Sequence, residues 1–167
     1  SEKAGKEAER LAAEIAQRAA VEEMSERDVR EAYQLLSLLE SDAAARVAAQ
    51  ASDAELAELA ELHTALEAAL DDGSAASRDA FFAANERFHL RILQIEGNRW
   101  RQQMVNDLRR LMKLNRHHSL FREGRLGESL GEHRALMQAL QARDTEATAR
   151  LMRTHFENGL AATAQQG

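Results

Sequence analysis

The sequence predicts an all-α protein, an antiparallel bundle of six or seven helices. Three observations carry that prediction. Apolar residues recur at helical spacing almost throughout, and no alternating strand pattern occurs. Proline is absent from all 167 residues, which suits unbroken helices. The links between periodic stretches are short, so successive helices return antiparallel. The length fits one domain with a sizeable core.

The elements follow in order. A weak first helix covers roughly 4–21, with Ala8, Leu11, Ile15 and Ala19 on one side. Ser25 and Asp28 have capping-box spacing and open a second helix to about Gln50. Ser52 and Glu55 repeat that signal for a third helix, which "DDGS" at 71–74 stops. The fourth carries "FFAANERFHLRIL" and ends at Gly97, and Asn98 can cap the fifth, expected to reach about His117. "HHSLFREG" is the longest expected loop. A sixth helix spans about 125–142, and Asp144 caps the last, to about Ala164. Residues 1–24 are expected to be an N-terminal helical segment or linker, and residues 25–167 the main domain.

Composition excludes several classes. With no cysteine there are no disulfides and no thiolate metal sites, which suits a reducing compartment. No apolar run approaches a membrane span and no signal-peptide pattern opens the chain, so a cytoplasmic protein is expected. The net charge of -6 disfavours nucleic acid as a direct partner. Charge is uneven: residues 91–125 hold 9 basic and 3 acidic side chains, which could serve an anionic small molecule or simply be a solvated face.

The histidines pose the functional question. His89 and Asn85, one turn apart, share a helix face with Phe81, Phe82, Phe88 and Ile92. His133 shares a stripe with Leu126, Leu130, Met137 and Leu140, and His155 sits among Leu151, Met152 and Gly159, with Asn158 one turn on. One histidine on an apolar face is ordinarily a hydrogen-bonded core residue. Three, each on its own helix, would each need a buried partner. Gathering them around one cation satisfies all three, and imidazole suits zinc, nickel, copper or iron. Asn85 can add a carbonyl oxygen. Four neutral ligands leave the ion's charge uncancelled, so such a site would hold an anion, most simply the carboxylate of a small molecule. His63, His117 and His118 are expected to face water, and Trp100, just inside a helix, to anchor the core.

These segments resemble a known family. "SERDVREAYQLLSLLESDAAARVAA", "NERFHLRILQIEGNRW" and "ESLGEHRALMQALQARDTEATARLMRTHFENGL" are similar to the opening, central and closing stretches of the FCD domain, the effector-binding domain of FadR-like GntR-family bacterial transcription regulators. The resemblance covers about 25–162. It implies a helical bundle with an internal metal and ligand cavity. It further implies a divalent ion, zinc or nickel, held by Asn85, His89, His133 and His155, and a small carboxylate effector bound partly to it. Many members carry Asp where Asn85 stands, and many carry an effector-gripping Arg where Leu36 stands. Replacement effector contacts are therefore sought at Tyr33, Arg109, Asn115, Arg116 and Asn158, with Arg110 a further candidate. The family usually dimerises, and the small side chains Ala43, Ala44 and Ala48 would permit close packing within or between chains. Residues 1–24 are too short for a winged helix-turn-helix, so DNA contact is expected only through such a domain, absent from this chain.

Two rivals remain at this stage. Three histidines with open positions could activate water in a metal-dependent hydrolase. That reading wants a general base, and Glu86 and Glu132, each adjoining a ligand, point about 100° away from it on a helix. A structural bundle whose histidines are metal-free core residues is the other.

Overall fold

The computed structural model describes residues 2–22, 24–70, 73–114 and 124–164. Seven helices occupy them: α1 (Glu2–Glu22), α2 (Glu26–Gln50), α3 (Asp53–Ala69), α4 (Ala75–Glu96), α5 (Arg99–Leu114), α6 (Arg125–Gln141) and α7 (Thr145–Ala164). There is no strand among the described residues. None of the described helices is long and apolar enough to cross a membrane.

Short polar side chains set the boundaries. Ser25 and Ser52 form complete capping boxes with Asp28 and Glu55, each pair satisfying two amides that the first helical turn leaves unpaired. Ser74 caps α4 through the Ser77 amide. Gly97 ends α4 with φ 87°, a left-handed conformation that glycine adopts without a Cβ clash. The Asn98 carboxamide oxygen then accepts from the Trp100 and Arg101 amides and starts α5. Asp144 does the same for α7 through the Ala147 amide.

α2 is the central rod. It packs most extensively on α7 and also touches α4, α5 and α6, while α3 closes on α4 and α6. Ala43, Ala44 and Ala48 are fully buried, so the small-residue face of α2 is consumed inside the bundle. The core runs from Leu36 and Val47 through Leu59, Leu66, Phe81, Phe88, Ile92 and Leu93 to Leu136, Leu140 and Met152. Truncating a fully buried side chain such as Phe88 to alanine costs about 3–5 kcal/mol. Arg101 pins α5 to α2 by donating to the Leu39 carbonyl at 2.6 Å and to Asp42 at 2.5 Å.

α1 stands apart from this core. Its residues 2–16 are exposed and it touches α5 alone beyond incidental contacts. Two expectations are corrected. Trp100 is 69% exposed, because α5 turns Val105, Leu108 and Met112 inward and leaves Trp100, Met104 and Leu111 outside. His63 is largely covered, with its ring edge-on to Phe88 and its Nε2 3.3 Å from Glu67. The expected loop at 117–123 lies outside the described residues.

Candidate metal centre

His89 comes from the middle of α4, His133 from α6 and His155 from α7. α2 packs against α4, α6 and α7, the three helices that carry the rings. One ring nitrogen of each lies within 4.8 Å of the others. His89 and His133 are about 1% exposed, and His155 is half-buried. Phe88 and Phe156 stand edge-on to the rings and exclude water from them.

Each histidine is held from behind. His89 Nδ1 lies 2.9 Å from Glu40 Oε1. His133 Nδ1 lies 2.7 Å from the Ser129 carbonyl. His155 Nδ1 lies 2.6 Å from Glu132 Oε1. The carboxylates are themselves clamped. Arg109 Nη2 donates to both oxygens of Glu40, at 2.9 and 2.8 Å. Arg125 donates to both oxygens of Glu132 at 2.9 Å, and the Asn158 amide adds a third bond at 2.8 Å.

These partners fix protonation. Burial pushes the Glu40 carboxyl up, but Arg109 and His89 outweigh it and leave it at about 2. Burial likewise raises Glu132, and the bonds from His155, Arg125 and Asn158 outweigh it, again to about 2. Both are carboxylates and accept only, so Nδ1 of His89 and of His155 carries the proton. The Ser129 carbonyl imposes the same tautomer on His133. Burial, reinforced by Arg109, lowers His89 to about 4, and burial, reinforced by His155 and His89, holds His133 well below its usual range. The His89 and His133 rings are therefore neutral near pH 7, with their Nε2 lone pairs turned inward.

One contact follows that hydrogen bonding does not explain. His89 Nε2 and His133 Nε2 are 3.1 Å apart. In these tautomers neither carries a proton, so two lone pairs face each other. A shared cation would resolve this. Nitrogens bound at about 2.0–2.1 Å to one ion stand about 3.0 Å apart at a right angle and about 3.4 Å at the tetrahedral angle. Asn85 contributes a second unexplained atom: its Oδ1 is buried and has no hydrogen-bond partner. A buried carbonyl oxygen left unpaired costs free energy unless something accepts its lone pairs. Three imidazole nitrogens and an amide oxygen suit a borderline divalent ion such as zinc or nickel.

A cavity of about 310 Å³ adjoins the centre, and Asn85, Ser129 and His155 line it. Tyr33 and Arg109, expected as effector contacts, line it too, and Leu36 forms part of its apolar wall. Asn158 is exposed and spends its amide on Glu132. Arg110 points to solvent beside Asp107. Asn115 and Arg116 lie outside the described residues.

Sequence reasoning missed the supporting groups. Glu40 pairs with Arg109 and also orients His89. Glu132 does point away from His133, but only to meet His155 on the neighbouring helix. Arg125 had no local signal at all. The detectable hint was Glu132 beside His133: an acid adjacent to a ligand on one helix can reach the ligand of the next.

The family model for the FCD domain matches residues 31–158. A solved structure of E. coli McbR/YncC is similar, with a TM-score of 0.75 and 24% identity, covering 87% of this chain and 72% of that one. That identity speaks for the fold alone. No curated protein matches by sequence.

Proposed function

The chain belongs to the FCD domain family, and on that premise we propose that it is the sensing domain of a GntR-family transcription regulator, binding a small organic acid at a divalent metal. His89, His133, His155 and Asn85 would hold the ion. When bound, the ion supplies a fixed positive charge inside the bundle that neutral ligands leave uncancelled, and that charge attracts a carboxylate. The 3.1 Å approach of two deprotonated Nε2 atoms carries this reading.

The wiring of the site suits a sensor. Glu40, His89 and Arg109 tie α2, α4 and α5 into one unit, and Glu132, Arg125, His155 and Asn158 tie α6 to α7. A ligand that binds one relative placement of these two units better than another shifts the population between them. In an intact regulator that shift would reach DNA through a winged helix-turn-helix domain. A homodimer, working in the cytoplasm where the DNA is, fits the same reading.

Turnover finds little support. Glu132, the acid nearest the rings, is a carboxylate at about 2 with three donors bound to it, a poor general base at neutral pH. The test is a thermal-melt screen of small carboxylates against metal-loaded and chelator-treated protein. The proposal expects stabilisation by at least one acid only in the metal-loaded protein. Acid-independent melts in both forms, or hydrolysis of simple esters, would overturn it.

A further inference from the structure

The walls of the cavity point to the class of acid. Six large apolar side chains line it, Leu36, Phe81, Phe82, Met112, Leu126 and Phe156, drawn from α2, α4, α5, α6 and α7. Along α4, Phe81 stands one turn before Asn85, so the apolar wall begins directly beside the amide that would give the ion its oxygen.

The charges on the wall are already spent. Arg109 is neutralised by Glu40 and Arg125 by Glu132, each through both carboxylate oxygens. Lys113 lies 3.5 Å from Glu86, and Asp79 adds a further negative charge. Among the described residues, then, every cation on the wall has a carboxylate partner, and a second carboxylate on the ligand would meet none free. The buried atoms of the wall left without a partner are one acceptor, Asn85 Oδ1, and one donor, Arg109 Nε. With Asn85 Oδ1 assigned to the ion, Arg109 Nε is left as the one buried donor for a single polar head. Tyr33, Ser129, Asp79 and Glu86 also line the cavity, but a chain hydroxylated at every carbon would still press hydroxyls against the phenyl and aliphatic groups beyond the partners these provide.

Building on the metal-dependent sensing reading, we propose that the effector is a monocarboxylic acid with an apolar tail: the carboxylate goes to the ion, with Arg109 Nε as its one further donor, and the tail fills the space between Leu36, Phe81, Phe82, Met112, Leu126 and Phe156. Dicarboxylates and sugar acids are disfavoured, the first for want of a second free cation and the second for want of enough hydroxyl partners among the apolar side chains.

The test is calorimetric titration of the zinc-loaded chain with straight-chain acids from acetate to octanoate, and with the six-carbon set hexanoate, adipate and gluconate. Affinity should rise about fourfold per methylene until the cavity is full, roughly 200-fold from acetate to hexanoate. Hexanoate should bind more than tenfold tighter than adipate or gluconate. L36R should flatten the chain-length gradient and favour adipate. If that variant fails to fold, L126F provides the second arm, moving the best tail length to a shorter acid. Adipate or gluconate binding as tightly as hexanoate overturns the inference and leaves metal-dependent sensing standing. A flat chain-length series overturns it as well. Failure of every acid on demonstrably zinc-loaded protein overturns both.

Discussion

Replacing Glu40 by glutamine removes one negative charge at the point where α2, α4 and α5 meet. Glu40 is 2% exposed and takes three contacts: two from Arg109 Nη2, at 2.9 and 2.8 Å, and one from His89 Nδ1 at 2.9 Å. Glutamine keeps the shape and one acceptor oxygen, so His89 retains a partner. Arg109 does not retain its counter-charge, and its Nε already lacks a bond. Breaking a buried ion pair from one side costs about 3–5 kcal/mol. The Arg109 side chain is 23% exposed and can recover some hydration, which selects the lower end of that range. For a chain of this length, about 3 kcal/mol lowers Tm by roughly 6–12 °C. Loss of the carboxylate behind His89 should also weaken metal binding by about 10–100-fold. Circular-dichroism melts give the first effect and zinc titration against a competing chelator gives the second. Adding R109M should restore most of the lost stability, because it removes the stranded guanidinium, so the double-mutant cycle should show strong coupling. An E40Q protein that melts within about 1 kcal/mol of the parent, or a double variant no better than the sum of its singles, would refute the reasoning.

Three further outcomes are expected. N85D adds a negative charge to the ligand set, so zinc should bind at least about tenfold tighter in a chelator competition, while acetate should bind the loaded site more weakly in calorimetry. E132Q strips the charge that faces Arg125, His155 and Asn158 and should loosen zinc by about 10–100-fold, with far-ultraviolet circular dichroism reporting retained helix. The metal-free protein should lose stability on acidification in two stages, read as a fall in urea midpoint. His89 is lowered from 6.5 to about 4, so between those values the unfolded chain binds more protons and stability falls as pH drops. Glu40 and Glu132 are lowered from 4.5 to about 2, so their contribution, complete above 4.5, drains away as pH falls towards 2. A midpoint flat from pH 7 to pH 4 would contradict this.

The fold was legible because the signals for it are local. Serine–acid capping boxes, Gly97 and Asn98 act within four residues of themselves, and the helices start and stop where those residues require. The inward faces of α4 and α6 were equally readable, since a histidine within a periodic apolar stripe must point where the stripe points. α5 was misread at Trp100: a lone tryptophan just inside a helix resembles a core anchor, whereas burial follows Val105, Leu108 and Met112. Only the placement of α5 against α2, fixed in part by Arg101 on the Leu39 carbonyl, decides between the two faces. The supporting acids were illegible for a related reason. Glu40 lies 49 residues from His89, and Arg109 a further distance along the chain, so their meeting depends on helix order rather than spacing.

The ion itself provides the most direct test. Zinc or nickel titrated into the chelator-treated full chain, followed by calorimetry, should saturate at one ion per chain. H133A should abolish that saturable binding while leaving the helical content unchanged. Absence of saturable binding in the parent, or binding that survives H133A undiminished, would mean that the facing nitrogens of His89 and His133 do not form a metal centre.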